Sequence, residues 1–311
     1  MSDLQYKRTC NLIVSDAAGS GLDLSNLTIN FAIKKTDGQS PNTASIKVYN
    51  LSDETAKQIQ KEFTRVVLQA GYESNHGIVF DGNVKAVTLG RENVVDSYID
   101  IQAADGDEGY NFSVVNATLS AGATQRDQIK ETAKAMKQFG VAEGHVDSAT
   151  DTPQLPRGKV MYGNARKYNR QSAQSTGCSW SIQNGRVQVV ALKGVLPNTA
   201  VQLNSRSGLV GTPEQTSDGI KFRCLINPAI VVGGAIQINE RDIQAAKLDD
   251  NASGQPDSAE KKEPVEITAD GFYRVVSLDI AGNSRGNDWY IDGVCVPLGD
   301  TPDGKKVTGN G

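Results

Sequence analysis

Val84-Lys85-Ala86-Val87-Thr88-Leu89, then Gly90-Arg91-Glu92-Asn93, then Asp96-Ser97-Tyr98-Ile99-Asp100, reads as a strand, a turn and a second strand. The same pattern returns late in the chain. Val275-Val276-Ser277-Leu278-Asp279-Ile280 supplies the apolar run, and Gly282-Asn283-Ser284-Arg285-Gly286-Asn287 supplies the turn. Gly90, Asp96, Tyr98, Ile99 and Asp100 recur as Gly282, Asp288, Tyr290, Ile291 and Asp292, all at an offset of 192 residues. A chain that carries one β unit twice can act as two subunits of a ring. Turn-flanked strands also look alike by chance, so the sequence alone leaves both origins open.

The residues around the first copy read as β. Leu27, Ile29, Phe31 and Ile33 alternate with Thr28, Asn30 and Ala32, the period-two signature of a half-buried strand. Shorter strands are predicted at 11–15 and around Ile46 and Val48. A helix then interrupts. Ser52 is placed to cap it, and Asp53 and Glu54 put negative charge in its first turn, where the helix dipole favours it. Ala56, Ile59 and Phe63 share one face of that helix. Strands return at 65–70, 77–89 and 94–103. Strands with a single helix suggest a barrel or closed sandwich over residues 1–105.

Residues 106–195 are mixed α+β. Thr124 and Asp127 form a capping-box-like pair before a helix with Ile129, Ala133, Met136 and Phe139 near one face, and Gly140 takes the C′ position. Pro153 and Pro156 punctuate an extended stretch. A second helix over 164–176 presents Ala165, Tyr168, Ser172 and Ala173, and Gly177 ends it. Residues 180–189 then read as a hairpin, because Asn184-Gly185 accepts the positive φ of a type I′ turn. Residues 196–298 are β again, with strands predicted at 200–204, 220–225, 235–239, 272–280 and 289–296. The polar stretch at about 245–264 reads as a mobile loop and 299–311 as a disordered tail.

Composition narrows the function classes. The 311 residues hold 31 glycines, 38% hydrophobic and 22% charged residues, with a net charge of −4. That balance offers no global electrostatic case for nucleic acid. No apolar run approaches the roughly 18 residues of a membrane span, and the first eight residues have no apolar core of a secretion signal. Cys10, Cys178, Cys224 and Cys295 lie far apart without a CxxC pair and read as reduced core residues.

Chemistry-bearing motifs are scarce. His76 and His145 have no neighbouring histidine or cysteine at zinc-ligand spacing and read as surface residues. Asp105-Gly106-Asp107-Glu108 and Asp249-Asp250 are carboxylate runs in Gly- or Asn-rich segments, which predicts solvated loops rather than a hydrolytic pair or a calcium loop. Neither a GxSxG elbow nor a Walker-type loop is present. Gly233-Gly234 reads as a turn between strands. Arg157, Lys159, Arg166, Lys167 and Arg170 form a local basic cluster, read as a solvated helix face. The expectation is no catalytic, cofactor-binding or metal residue, and no cofactor.

Three stretches resemble the hub proteins of contractile phage tail baseplates, the late control protein D type. The first runs from Leu155-Pro156-Arg157-Gly158-Lys159-Val160-Met161-Tyr162-Gly163 through Ala165-Arg166, Thr176-Gly177-Cys178-Ser179-Trp180-Ser181-Ile182 and Asn184-Gly185. The second runs from Gly208-Leu209-Val210-Gly211-Thr212-Pro213-Glu214-Gln215-Thr216 to Cys224-Leu225-Ile226-Asn227-Pro228. The third runs from Gly271-Phe272-Tyr273-Arg274-Val275-Val276 to Gly286-Asn287-Asp288-Trp289-Tyr290. The run Ala44-Ser45-Ile46-Lys47-Val48-Tyr49-Asn50-Leu51-Ser52 is similar to a strand ending in Tyr-Asn-Leu that the family often has. The resemblance implies a mainly β chain in which two tube-protein-like β-barrel domains (1–105 and 196–298) flank the α+β middle domain (106–195). It further implies a non-enzymatic homotrimer. Its pseudo-sixfold ring would join the sixfold tail tube, or a tube-initiator protein, to a threefold central spike. Tape measure and wedge proteins are further implied partners, and the virion tail baseplate, assembled in the host cytoplasm, is the implied location. The alternatives are a tail-associated cell-wall hydrolase and a receptor- or glycan-binding β module.

Overall fold

The computed structural model of the chain describes residues 5–16, 19–239, 243–244 and 271–298. The loop expected at 245–264, with Asp249 and Asp250, and the tail at 299–311 lie outside the described residues. The protein is mainly β, with large antiparallel sheets.

The first part of the chain supplies β1 (Arg8–Ser15), β2 (Gly21–Asp23), β3 (Ile29–Thr36), β4 (Thr43–Tyr49), α1 (Asp53–Glu62), β5 (Arg65–Tyr72), β6 (Asn75–Arg91) and β7 (Ser97–Ala104). The alternation predicted around Phe31 is present: Ile29, Phe31, Ile33 and Lys35 of β3 all face inward. The Ser52 hydroxyl accepts the Thr55 N–H and caps α1, which buries Ala56 and Ile59. One strand begins later than expected. Val94 and Val95 are exposed in the β6–β7 turn, because the Asn93 side-chain carbonyl accepts the N–H groups of Val95 and Asp96 at 2.8 and 2.7 Å and folds them out of the strand.

The middle of the chain forms α2 (Asp107–Phe112), β8 (Val114–Leu119), α3 (Gln125–Met136), β9 (Ala142–Val146), β10 (Lys159–Asn164), α4 (Ala165–Ser175), β11 (Cys178–Ile182) and β12 (Arg186–Ala191). Thr124 and Asp127 complete a reciprocal capping box on α3. Asn184 and Gly185, at φ 51° and 70°, turn β11 into β12 as the Asn-Gly pair predicted. No local sequence signal predicts α2, β8, β9 or β10. These elements are short, and their pairing is with strands distant in sequence: β8 pairs β10 in a two-stranded sheet, and β9 runs parallel to β12.

The last part supplies β13 (Val201–Leu203), β14 (Leu209–Thr216), β15 (Gly219–Leu225), β16 (Ala235–Ile238), β17 (Phe272–Asn283) and β18 (Trp289–Pro297). Strand order now shows the repeat. The first part runs β3-β4-β7-β6-β5-β1, and the last part runs β14-β15-β18-β17-β16-β13. Each neighbouring pair is antiparallel in both, except that β13 is parallel to β16 where β1 is antiparallel to β5. The two units are welded edge to edge, because β17 pairs β3 from Ser277↔Thr36 to Asn283↔Asn30. They share one hydrophobic core, while the middle elements enclose a second core around Ile129, Met161 and Trp180. Trp289 is fully buried at the weld and meets Phe31 edge-on, with centroids 5.8 Å apart.

Candidate assembly surface

The two echoed hairpins match in register, with one correction to the sequence alignment. Asp100 and Asp292 lie opposite Thr88 and Asp279, and Tyr98 and Tyr290 lie opposite Gly90 and Ala281. The first strands therefore correspond at an offset of 191, the second strands at 192. Gly90 is the counterpart of Ala281, not of Gly282. Both hairpins carry a bulge at the same place, after Val84 and after Val275. The other four echoed residues occupy equivalent positions, and Ile99 and Ile291 both point into the core.

A common outer face follows from this register. Lys47 of β4 is the cross-strand partner of Asp100, and Arg223 of β15 is the partner of Asp292. Each cation also lies over the echoed tyrosine: Lys47 Nζ is 4.9 Å from the Tyr98 ring centroid and Arg223 Cζ 5.7 Å from that of Tyr290. The second unit adds a bidentate pair, Arg223 to Asp292 at 2.6 and 2.9 Å. In the first unit Asp100 instead accepts from Ser45 and Gln102. Pairs this exposed contribute little to stability. They set the polarity of a face.

The units are held to the middle elements by buried polar groups, and here an expectation is overturned. Asp105 is not solvated: it is fully buried, and its carboxylate accepts the Asn184 and Gly185 N–H groups at 2.6 and 2.8 Å. Burial pushes its pKa up to about 6, against the pull of Lys35 and those N–H donors. Lys35 donates to the Asn184 side chain at 2.6 Å, and burial lowers its ammonium to about 8 while Asp105 and Asp81 oppose the shift. Asn42 donates to the Ile182 carbonyl and to the Gln183 side chain, both at 2.9 Å. The type I′ turn is thus plugged into the first unit. A second lock is Arg274 of β17, which is buried. It donates to the carbonyls of Ala191 and Leu192, to Ser179 and to Asp37. Burial lowers its pKa, and Asp37 opposes the shift.

A cavity of about 500 Å³ lies where the three parts meet, lined by Lys35, Arg65, Asp81, Asn184, Arg186 and Asn227 among others. Its charges are largely spent internally: Arg65 grips Asp81 with two bonds of 2.9 and 2.7 Å, and Lys35 faces Asn184. The arrangement is that of a junction.

The remaining candidates are dispersed. Asp107 opens α2 and pairs with Lys85 at 3.3 Å, so the Asp105–Glu108 run is split between core and helix start. His76 lies in β6. His145 is half-buried in β9 rather than on the surface as expected, and burial lowers its pKa. Among the described residues no three His, Cys, Asp or Glu gather as a metal site would require. Gly233 turns the chain at φ 81°. Three members of the basic cluster have partners within the chain: Lys159 reaches Gln128, Arg166 reaches Asn111 and lies over Tyr110, and Arg170 reaches Gln39. Cys178, Cys224 and Cys295 are buried free thiols and Cys10 is partly buried; burial pushes Cys10 and Cys224 up to about 12. No helix among the described residues is long and apolar enough to cross a membrane.

The architecture is that of a phage tail protein. It is similar to the 43 kDa tail protein of prophage MuSo2 from Shewanella oneidensis, at 7% identity and a TM-score of 0.54, covering 93% of this chain and 99% of that one. It is equally similar to the tail protein from Neisseria meningitidis MC58, at 9% identity and a TM-score of 0.54, covering 93% and 96%. Identities this low establish the fold alone. The family comes from the sequence: the model of the baseplate hub gp41 family matches residues 12–241, and the chain belongs to that family. No curated protein matches the chain.

Proposed function

We propose that the chain is the structural hub of a contractile-tail baseplate. Three copies form a ring of six β units, two per chain, and the ring joins the sixfold tail tube above to a threefold central spike below. The observation that carries this reading is the repeated strand order, with its internal weld of β17 to β3. One chain already contains two like units joined edge to edge, which is one third of a pseudo-sixfold ring. A heterologous contact of this kind closes only if the rotation it imposes divides the circle. The working parts are then edges and faces rather than a catalytic pocket, and the role is symmetry matching and load transfer in the virion baseplate after assembly in the host cytoplasm. The domain division at 105/106 and 195/196 belongs to this reading, with the middle elements as a brace outside the ring. Tube or tube-initiator protein, spike, tape measure and wedge proteins are its partners.

Light scattering on the purified chain, alone and with tube and spike proteins, tests the proposal. A homotrimer, on its own or induced by either partner, is expected. A chain that stays monomeric with both partners present would sink it.

A further inference from the structure

We infer that the ring closes through one particular strand pair between copies: the outer edge of β6 at residues 88–90 pairs antiparallel with the outer edge of β14 at residues 214–216 of a second copy. The inference rests on the trimeric hub reading above and adds to it the edges and their register.

The internal repeat alone supplies the edges and their register. Within one chain, the β17 edge from Ser277 onward is taken by β3 of the other unit. By register, β6 is the counterpart of β17, with Ala86 matching Ser277 and Leu89 matching Ile280. Likewise β14 is the counterpart of β3. Lys47 matches Arg223, so Ala32, Ile33 and Lys34 match Glu214, Gln215 and Thr216 through their partners on β4 and β15. The partner β5 covers β6 only up to Asn83, as β16 covers β17 only up to Arg274. Beyond that point β17 has β3, and β6 has no strand among the described residues. The weld inside the chain therefore has a matching pair of edges at its two ends, β6 on the first unit and β14 on the second.

Side-chain exposure agrees. Ile280, with Ile33 of β3 opposite it, is 4% exposed, whereas its counterpart Leu89 is 52% exposed. An apolar residue left in the open on a long strand edge is a pairing site waiting for a partner. Transferring the observed β17·β3 register gives the intercopy ladder directly. Thr88 falls opposite Thr216, as Asp279 falls opposite Lys34; Leu89 falls opposite Gln215, and Gly90 opposite Glu214. Among the described residues both edges carry local stopgaps in the single chain. The Gln60 side chain donates to the Val87 carbonyl at 3.3 Å, and Gln244 exchanges backbone bonds of 2.8 and 3.0 Å with Pro213 and Gln215. These are the bonds that the ladder replaces. The bulge between Val210 and Glu214 limits it to a few residues, so the ladder sets register while the flanking faces supply the area.

Cysteine pairs read the register. Opposed residues of an antiparallel ladder have Cα atoms about 4.5–5.5 Å apart, within the span of a disulfide. The full-length double variants Thr88→Cys/Thr216→Cys and Leu89→Cys/Gln215→Cys are to be oxidised mildly in the presence of tube and spike proteins. Covalent dimers and trimers, absent from the single variants and from the off-register pair Thr88→Cys/Glu214→Cys, are expected. Light scattering on the reduced proteins separates the failures. A trimer in which neither in-register pair links, or only the off-register pair links, overturns the strand pairing and leaves the hub reading standing. A monomer overturns both.

Discussion

The guanidinium of Arg274 donates to the carboxylate of Asp37 at 3.0 Å, across 237 residues of sequence. The same guanidinium holds two carbonyls at the end of β12, so one side chain ties both β units to the middle elements. Removing one partner of a buried, multiply bonded ion pair costs about 3–5 kcal/mol. Arg274→Ala is therefore expected to lower the unfolding free energy by that order, read from the urea midpoint. Arg274→Lys recovers only part of it, because an ammonium cannot reproduce the planar fork. A midpoint unchanged in Arg274→Ala would show that the three parts are held elsewhere.

Asp105 gives the fold a pH dependence of defined sign. Its carboxyl titrates near 3.8 when unfolded and at about 6 when folded. Between about pH 4 and 6 the folded chain holds a proton that the unfolded chain has released, so this group's contribution to stability grows as pH falls through that window and is lost as pH rises past about 6. Lys35 titrates outside the window, at about 8. Denaturant midpoints of the wild type and Asp105→Asn at pH 4.5 and 7 isolate the effect, since the other carboxylates cancel in the difference. The wild type should gain on the variant at the lower pH; a flat or reversed difference contradicts the burial argument.

Gly282 and Gly90, paired in the sequence alignment, should behave differently on substitution. A Cβ at Gly282 would run into the ring of Phe31, which is buried in the shared core and cannot move aside. At Gly90 the obstacle is the ring of Tyr98, which is half-exposed on the outer face and can rotate away. Overpacking a core costs about 1–3 kcal/mol, so Gly282→Ala should be destabilising by that amount and Gly90→Ala by clearly less. Equal losses in thermal or denaturant unfolding would mean that the two glycines are equivalent after all.

Much of this was legible in the sequence where the signal is local. The alternation through Ile29, Phe31 and Ile33, the Ser52 and Thr124 caps and the Asn184-Gly185 turn each depend on neighbours a few residues away. The repeat was legible as well, because Tyr98-Ile99-Asp100 and Tyr290-Ile291-Asp292 keep the same pattern of outer and inner faces. What could not be read is non-local. Asp105-Gly106-Asp107-Glu108 is polar along the chain, and its first carboxylate is buried only because a turn 79 residues later folds onto it. Gly211 and Pro213, inside the irregular stretch of β14, obscured the period of two that would have marked it as a strand. The slip at Gly282 arose because a constant offset cannot register a hairpin whose turn is one residue longer.

Each chain is expected to bring two equivalent β units to one ring. An electron cryomicroscopy image of the purified hub, assembled with tube and spike proteins, tests it most directly. The predicted result is a ring of three chains and six β units, with β6 of each copy beside β14 of the next and the middle elements outside. A ring of six whole chains, or of three chains joined through their middle elements, would contradict it.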